Sequence, residues 1–337
     1  MADVFKLRQQ LKRASDLGYT FYVSPELEYF YFKDQTGRPE PLDQGGYFDQ
    51  VADVAHDLRR DTVLTLEAMG IEVEYSHHEV APSQHEIGLR YTDALTMADA
   101  AMTYRLVVKE IALANGVHAT FMPKPVENQN GSGMHVHQSL FKGERNAFYD
   151  PEDPYHLSAV ARGYIAGLLH HAREITLVTN QWVNSYKRLM AGFEAPVYLS
   201  WARRNRSDLI RIPEYKAGRE LHTRIEYRSP DPACNPYLAF AVMLAAGLDG
   251  IEKEIPLPPP VEENVFEMTP EERAARGIET LPGSLFEAIE AAEKSELLRS
   301  ALGDHVFESL IKNKRIEWER YRRHITDFEI AEYLPVL

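Results

Sequence analysis

Chemistry-bearing side chains stand at alternate positions in three segments spread from residue 26 to residue 228, and this limits the folds open to the chain. In a β-strand, residues i and i+2 point to the same side. Glu26 and Glu28 in Glu26-Leu-Glu-Tyr-Phe-Tyr-Phe32 therefore share a face, as do His135 and His137 after Asn130-Gly-Ser-Gly-Met134. Arg224, Glu226 and Arg228 alternate in the same way. Two carboxylates on one strand face repel unless solvent or a cation lies between them. Such faces are either solvated, salt-bridged edges or the floor of a metal or phosphate site, and the glycines before His135 let backbone approach a ligand closely. Chemistry drawn from so wide a span, with no internal repeat and no linker, predicts one folded unit over 1–337.

The remaining elements follow from periodicity. Helical spacing predicts helices over 3–17, 49–69, 92–115, 155–178, 234–254, 284–293 and 304–324, several stopped by glycine. Asn235 stands as N-cap with Pro236 at the first position of the fifth. Strands are expected at 19–23, 26–32, 71–75, 117–122 and 224–228, with a loop over 33–46. A second polar cluster, His77, His78, Glu79, His85 and Glu86, brackets Pro82. It is a metal site or a chance surface grouping.

A net charge of −14 argues against nucleic acid or an anionic membrane as the main partner. The longest apolar run, Tyr237–Leu248, is too short to span a bilayer. The single cysteine, Cys234, fits a reducing compartment, and the start of the chain carries no apolar leader, so a cytoplasmic location is expected. There is no G-x-x-x-x-G-K-[ST] loop, and Val136 stands where a dinucleotide fingerprint needs its third glycine. Oxygen-rich sites with one imidazole suit Mg²⁺ or Mn²⁺. Guanidinium forks suit phosphates and carboxylates. Together they point to phosphoryl transfer from a metal-bound nucleotide to a carboxylate-bearing substrate.

The runs Pro25–Glu28, His77–Glu86, Asn130–His137, Asn184–Leu189, Gly192–Pro196, Asn205–Ser207 and Arg224–Glu226, in this order, resemble the type I glutamine synthetase family over nearly the whole chain. The resemblance implies an α+β catalytic domain with a curved antiparallel sheet around a two-metal site backed by helices. It implies Glu28, Glu79 and Glu86 as ligands of one Mg²⁺ or Mn²⁺, and Glu26, His135 and Glu226 as ligands of a second. Arg188 and Arg228 resemble the residues that hold glutamate, with Asn130 and Gly131 lining its pocket and Tyr47 in the ammonium pocket. His137 and Ser139 resemble nucleotide contacts, Arg206, Arg211 and Arg224 those that neutralise ATP phosphates, and Glu194 the flap residue that takes a proton from ammonium.

The implied activity is ATP-dependent amide formation from glutamate and ammonia through γ-glutamyl phosphate, in a homo-oligomer acting on small molecules. The family's N-terminal β-grasp domain is expected to be absent. That keeps open a γ-glutamyl-amine ligase using another amine, or a truncated homologue that binds nucleotide without catalysis or pairs with a full-length subunit. Phe266 stands where the adenylylated branch carries its tyrosine, so that control is not expected.

Overall fold

The structure, a computed structural model, describes residues 2–193, 195–205, 207–214 and 216–337. In chain order its first half contains α1 (Ala2–Asp16), β1 (Thr20–Phe32), α2 (His56–Ala68), β2 (Val73–His78), β3 (Gln84–Leu89), β4 (Thr92–Asp93), α3 (Ala94–Ala114), β5 (His118–Thr120), β6 (Met134–Lys142) and β7 (Arg145–Asn146). The second half contains α4 (Ala159–Thr179), α5 (Ser185–Arg188), β8 (Tyr198–Ala202), β9 (Asp208–Arg211), β10 (Ile225–Tyr227), α6 (Pro236–Glu252), α7 (Pro270–Ala275), α8 (Leu285–Glu293), α9 (Glu296–Tyr321) and α10 (Asp327–Tyr333).

β1 is the hub. It is one strand straight through Pro25, where two separate strands were expected. The amide of Glu28 donates to Gly133 on the β6 side and that of Tyr31 to Ser83 on the other, so odd-numbered amides of β1 face away from β6. Position 25 faces that other side in the gap between β4, which pairs at Tyr22 and Val23, and β3, whose pairing begins at Glu26. A residue without an N–H costs no ladder bond there. The sheet runs β2-β3-β1-β6-β10-β9-β8 and is open. All pairings are antiparallel except β8 with β9, which run parallel, so the sheet is mixed where an antiparallel one was expected.

The two faces of β1 divide the molecule. Leu27, Tyr29 and Tyr31 point into the core, where the Tyr104 hydroxyl of α3 donates to the Leu27 carbonyl at 3.0 Å and Tyr29 meets the Tyr104 ring edge-on. α6 is apolar almost all round, which is the signature of a buried helix. It packs against α1 and α4 beneath the sheet. Asn235 caps it as expected, its side chain accepting from the Leu238 amide at 3.3 Å. Glu26 and Glu28 point to the opposite face.

Two helix boundaries moved for local reasons. Residues 49–55 turn instead of coiling because Asp49 accepts from the amides of Val51 and Ala52, and Asp53 from that of Ala55, an alternative to helical bonding. The final long helix begins at Glu296, capped by Ser295, and breaks at Gly303, whose φ of 68° only glycine adopts freely. The expected 304–324 helix is the part beyond that break.

Candidate active site

Strand pairing assembles the polar face. Along β3, β1, β6 and β10, Glu28 lies opposite Glu86, Glu26 opposite His135, and Glu226 opposite His137. His137 Nε2 is 2.9 Å from Glu26 Oε1, and His135 Nδ1 is 3.3 Å from Glu26 Oε2 and 3.6 Å from Glu226 Oε1. β2 adds His77, which lies 3.6 Å from both Glu79 and Glu86. Glu28 is oriented from below, its Oε2 accepting from the Gly133 amide and from Gln84 Nε2, both at 2.9 Å. A Cβ at Gly133 would lie 2.6 Å from Arg188 Nη2, so a side chain there would push the guanidinium off the carbonyl it donates to.

The electrostatics fall into two halves. In the first, Glu28, Glu79 and Glu86 are acids held against ionisation. Burial raises Glu28 to about 7 despite Arg188. Burial, then the Glu28 and Glu86 charges, push Glu79 to about 9. Burial, then Glu26 and Glu28, lift Glu86 well above the carboxylate range. In the second half, burial is outweighed. His137 and His135 hold Glu26 well below the usual range. Arg228, then His137, bring Glu226 to about 2, and Glu226 accepts from both Arg228 Nη1 and Arg211 Nε. Burial and then Arg228 depress His135 to about 4.

The donor atoms gather as Glu26, His137 and Glu226 in one group and His77, Glu79 and Glu86 in another, each within 4.8 Å of one another. His135 and Glu28 stand between these groups, with His135 Nε2 4.0 Å from Glu28 Oε1. The sets expected from sequence, Glu28/Glu79/Glu86 and Glu26/His135/Glu226, thus converge on one place, and His77 and His137 join them.

Two cavities meet at this cluster. One, of about 300 Å³, is bounded by the carboxylates together with Tyr47, Asn130, Gly131, Arg211 and Arg228. The other, of about 850 Å³, opens on the far side of Glu26 and is lined by His137, Ser139 and Arg224. Arg224 Nε lies 3.2 Å from His137 Nδ1. Arg188 stands apart from both walls. It is buried, and its guanidinium donates to the carbonyls of Ser229 at 2.7 Å, Pro230 at 3.1 Å and Arg228 at 3.2 Å. In this conformation it braces the floor beneath the smaller cavity. Glu194 and Arg206 lie outside the described residues.

Two residues that the sequence reading did not place in the site belong to it, Gln84 and Tyr75, and His77 of the second polar cluster lies there with Glu79 and Glu86. His77 and Tyr75 are two and four positions before Glu79, so their strand parity was readable. Gln84 gave no such sign, because its role depends on the β3–β1 register.

A sheet that carries buried carboxylates and imidazoles between two cavities, backed by helices, defines an α+β domain with the groups to hold divalent cations and anions together. The chain belongs to the glutamine synthetase family: the model of the glutamine synthetase catalytic domain matches residues 5–333. It is 57% identical over 334 residues to a glutamine synthetase of Mycolicibacterium smegmatis and 52% identical to one of Thermotoga maritima, in each case covering 98% of this chain and 75% of the relative. Among solved structures it is similar to a GmaS/ADP complex, with TM-score 0.89, 31% identity and coverage of 99% of this chain and 77% of that one. It is also similar to the Plasmodium falciparum glutamine synthetase, with TM-score 0.87, 26% identity and coverage of 98% and 78%. Among the described residues, no helix is long and apolar enough to cross a membrane.

Proposed function

We propose that this chain is the catalytic part of an ATP-dependent ligase that joins the side-chain carboxylate of L-glutamate to ammonia through γ-glutamyl phosphate. The observation that carries the reading is the carboxylate–imidazole cluster lying between a large cleft with basic residues and a small cavity ending in Arg228.

The residues fit divalent cations. The donor set is carboxylate oxygen with imidazole, the choice of Mg²⁺ or Mn²⁺. Among the described residues His135 Nε2 is buried with no hydrogen-bond partner. Buried acids that hold their protons for want of a counter-charge are groups a cation would deprotonate. Glu28, Glu79 and Glu86, with His77 beside them, would hold one ion; Glu26, His135 and Glu226, with His137 in reach, would hold a second. Such ions would supply positive charge for phosphoryl transfer.

The chain's own groups do the rest. His137, Ser139 and Arg224 take the nucleotide in the larger cleft, with Arg206 assigned to the same task. Arg228, whose Nε is buried without a partner among the described residues, takes the amino-acid carboxylate in the smaller cavity, beside Asn130 and Gly131. Arg188 stiffens that floor. Held in line, a glutamate side-chain oxygen bonds to the terminal phosphorus as the bond to the bridging oxygen breaks and ADP leaves. Ammonia from the Tyr47 and Glu79 side then forms the C–N bond as phosphate departs, its proton passing to a carboxylate, the role given to Glu194. Arg211, fixed on Glu226, faces the developing phosphate charge. Each preorganised contact of this kind is worth ~2.7–4 kcal/mol in the transition state.

A homo-oligomer belongs to the same reading. Ile325, Phe328, Tyr333, Leu334 and Val336, close in sequence in and around α10, are all exposed apolar side chains, as an assembly contact would leave them in a single chain. The test of function is ADP release from ATP with L-glutamate and Mg²⁺ or Mn²⁺, against ammonia and a panel of small amines, with Glu226→Ala as control. Release that needs glutamate and ammonia and vanishes in the control supports the ligase. Nucleotide binding without turnover on any acceptor overturns it.

A further inference from the structure

Tyr75 occupies an unusual place. It lies on β2 directly opposite Gly88 of β3, and its ring rests on the bare glycine: a Cβ added to Gly88 would meet Tyr75 Cζ at 2.4 Å. From there the hydroxyl donates to Glu26 Oε1 at 2.7 Å, with Glu86 as the next carboxylate beside it. Glu26 and Glu86 belong to different halves of the carboxylate cluster, so a single phenol spans both. The ring also stacks on His77, with centroids 5.7 Å apart and planes 17° from parallel. Tyr75 borders both the 850 Å³ and the 300 Å³ cavities. About a third of the residue remains in contact with solvent, so the ring has open space to turn into.

We infer that Tyr75 is the partition between the nucleotide cleft and the amino-acid cavity, a positioning residue that keeps water of the larger cleft from the acyl phosphate formed in the smaller one. The inference rests on the ligase reading above. Its physical basis is twofold. A phenol is apolar in its ring and polar only at its tip, so it blocks a passage while its hydroxyl holds carboxylates at a set spacing. Excluding water is also the main protection for an activated intermediate. Attack of water on the acyl carbon breaks the same C–O bond that ammonia breaks and returns glutamate and phosphate, spending ATP without an amide. Gly88 is the other half of the device, because only a residue without a side chain lets the ring lie flat across the gap.

The test is the coupling ratio, ADP released per amide formed, in the full chain with ATP, L-glutamate, ammonia and Mg²⁺. Tyr75→Phe keeps the ring, and its ratio should stay near the wild-type value even if its metal-ion dependence shifts. Tyr75→Ala opens the gap and Gly88→Ala pushes the ring out of it. Both should raise the ratio about threefold or more, through glutamate-dependent phosphate release that continues without ammonia. Folding of each variant is checked by its thermal transition, and either of the last two suffices if the other does not fold. A wild-type ratio in folded, active Tyr75→Ala or Gly88→Ala overturns the partition and leaves the ligase standing. Absence of any glutamate-dependent ADP release by the wild type instead overturns the ligase reading itself.

Discussion

Two glutamates in the same cavity should respond to the same substitution with opposite signs. Glu226 is fully buried and accepts from two guanidiniums, Arg228 from behind and Arg211 from the side. Glu226→Gln keeps the volume and removes the charge, leaving both cations facing a neutral amide. Removing one partner of a buried pair costs about 3–5 kcal/mol. Arg211 is about a third exposed and regains some hydration, so the lower end applies, roughly 3 kcal/mol. Glu86 is the reverse case. It is buried among Glu26, Glu28 and Glu79, with His77 3.6 Å away and Tyr75 as its polar neighbours. Glu86→Gln removes a group that the fold holds protonated at a cost, and should stabilise the metal-free chain by roughly 1–2 kcal/mol. In a chain of this length each kcal/mol moves the midpoint by about 2 °C. Calorimetry in EDTA at pH 7.5 should therefore show Glu226→Gln melting about 6 °C below wild type and Glu86→Gln a few degrees above it. With millimolar Mn²⁺ the second difference should reverse, because the wild type gains a ligand-linked stabilisation that the variant lacks. Equal shifts of the same sign in EDTA would refute the division of the site into a charge-starved half and a charge-paired half.

Away from the site, His171 joins Asp249 at 2.9 Å and Glu174 at 3.2 Å, tying α4 to α6. Burial opposes it, but the hydrogen bonds to Glu174 and Asp249 raise the imidazole above its usual value, while bonding to His171 lowers both acids despite their burial. The His171 contribution is complete below about pH 6.5 and fades as pH rises through the raised value; the acids contribute above about pH 4.5 and fade as pH falls. Urea melts should therefore show His171→Gln costing more at pH 5.5 than at pH 8.5, and an equal cost at both would count against the ion pairs. Asn235→Ala removes the cap of α6 and should lower stability by about 1 kcal/mol in the same assay. Arg228→Lys cannot hold Glu226 and a substrate carboxylate in one planar fork, and should lower kcat/KM for glutamate by about 100-fold with the ATP KM little changed. Replacing both Phe328 and Leu334 by serine should shift light-scattering mass downward, and unchanged mass would remove α10 from the assembly contact.

The period-two pattern was enough to place Glu26 with Glu28 and Glu226 with Arg228, because side-chain direction along a strand is a local property. Which strands lie side by side is not local. That β3 rather than β2 sits against β1 decides that Glu86 faces Glu28, and no periodicity encodes it. Arg188 shows a related limit: its residue type announces an anion partner, yet three carbonyls brought from 40 residues away take its donors. The resemblance to a known family assigned metal and substrate roles by motif, but it carried no word of Tyr75, whose position matters only because Gly88 lies beneath it. Pro25 misled because a ladder gap on one side of a strand is invisible until the neighbours are known.

The hub position of β1 also governs when the enzyme comes into being. Its partner β6 arrives more than a hundred residues later, and Glu226 on β10 later still. A chain emerging from the ribosome holds Glu26 and Glu28 long before His135, His137 and Glu226 exist, and the pairings of β1 with β3 and β6 must close long loops against their entropy. The centre of the sheet is thus begun early and finished late. Recovery of metal affinity after dilution from denaturant should trail the return of helical circular dichroism, making ion binding a clock for the last stage of folding.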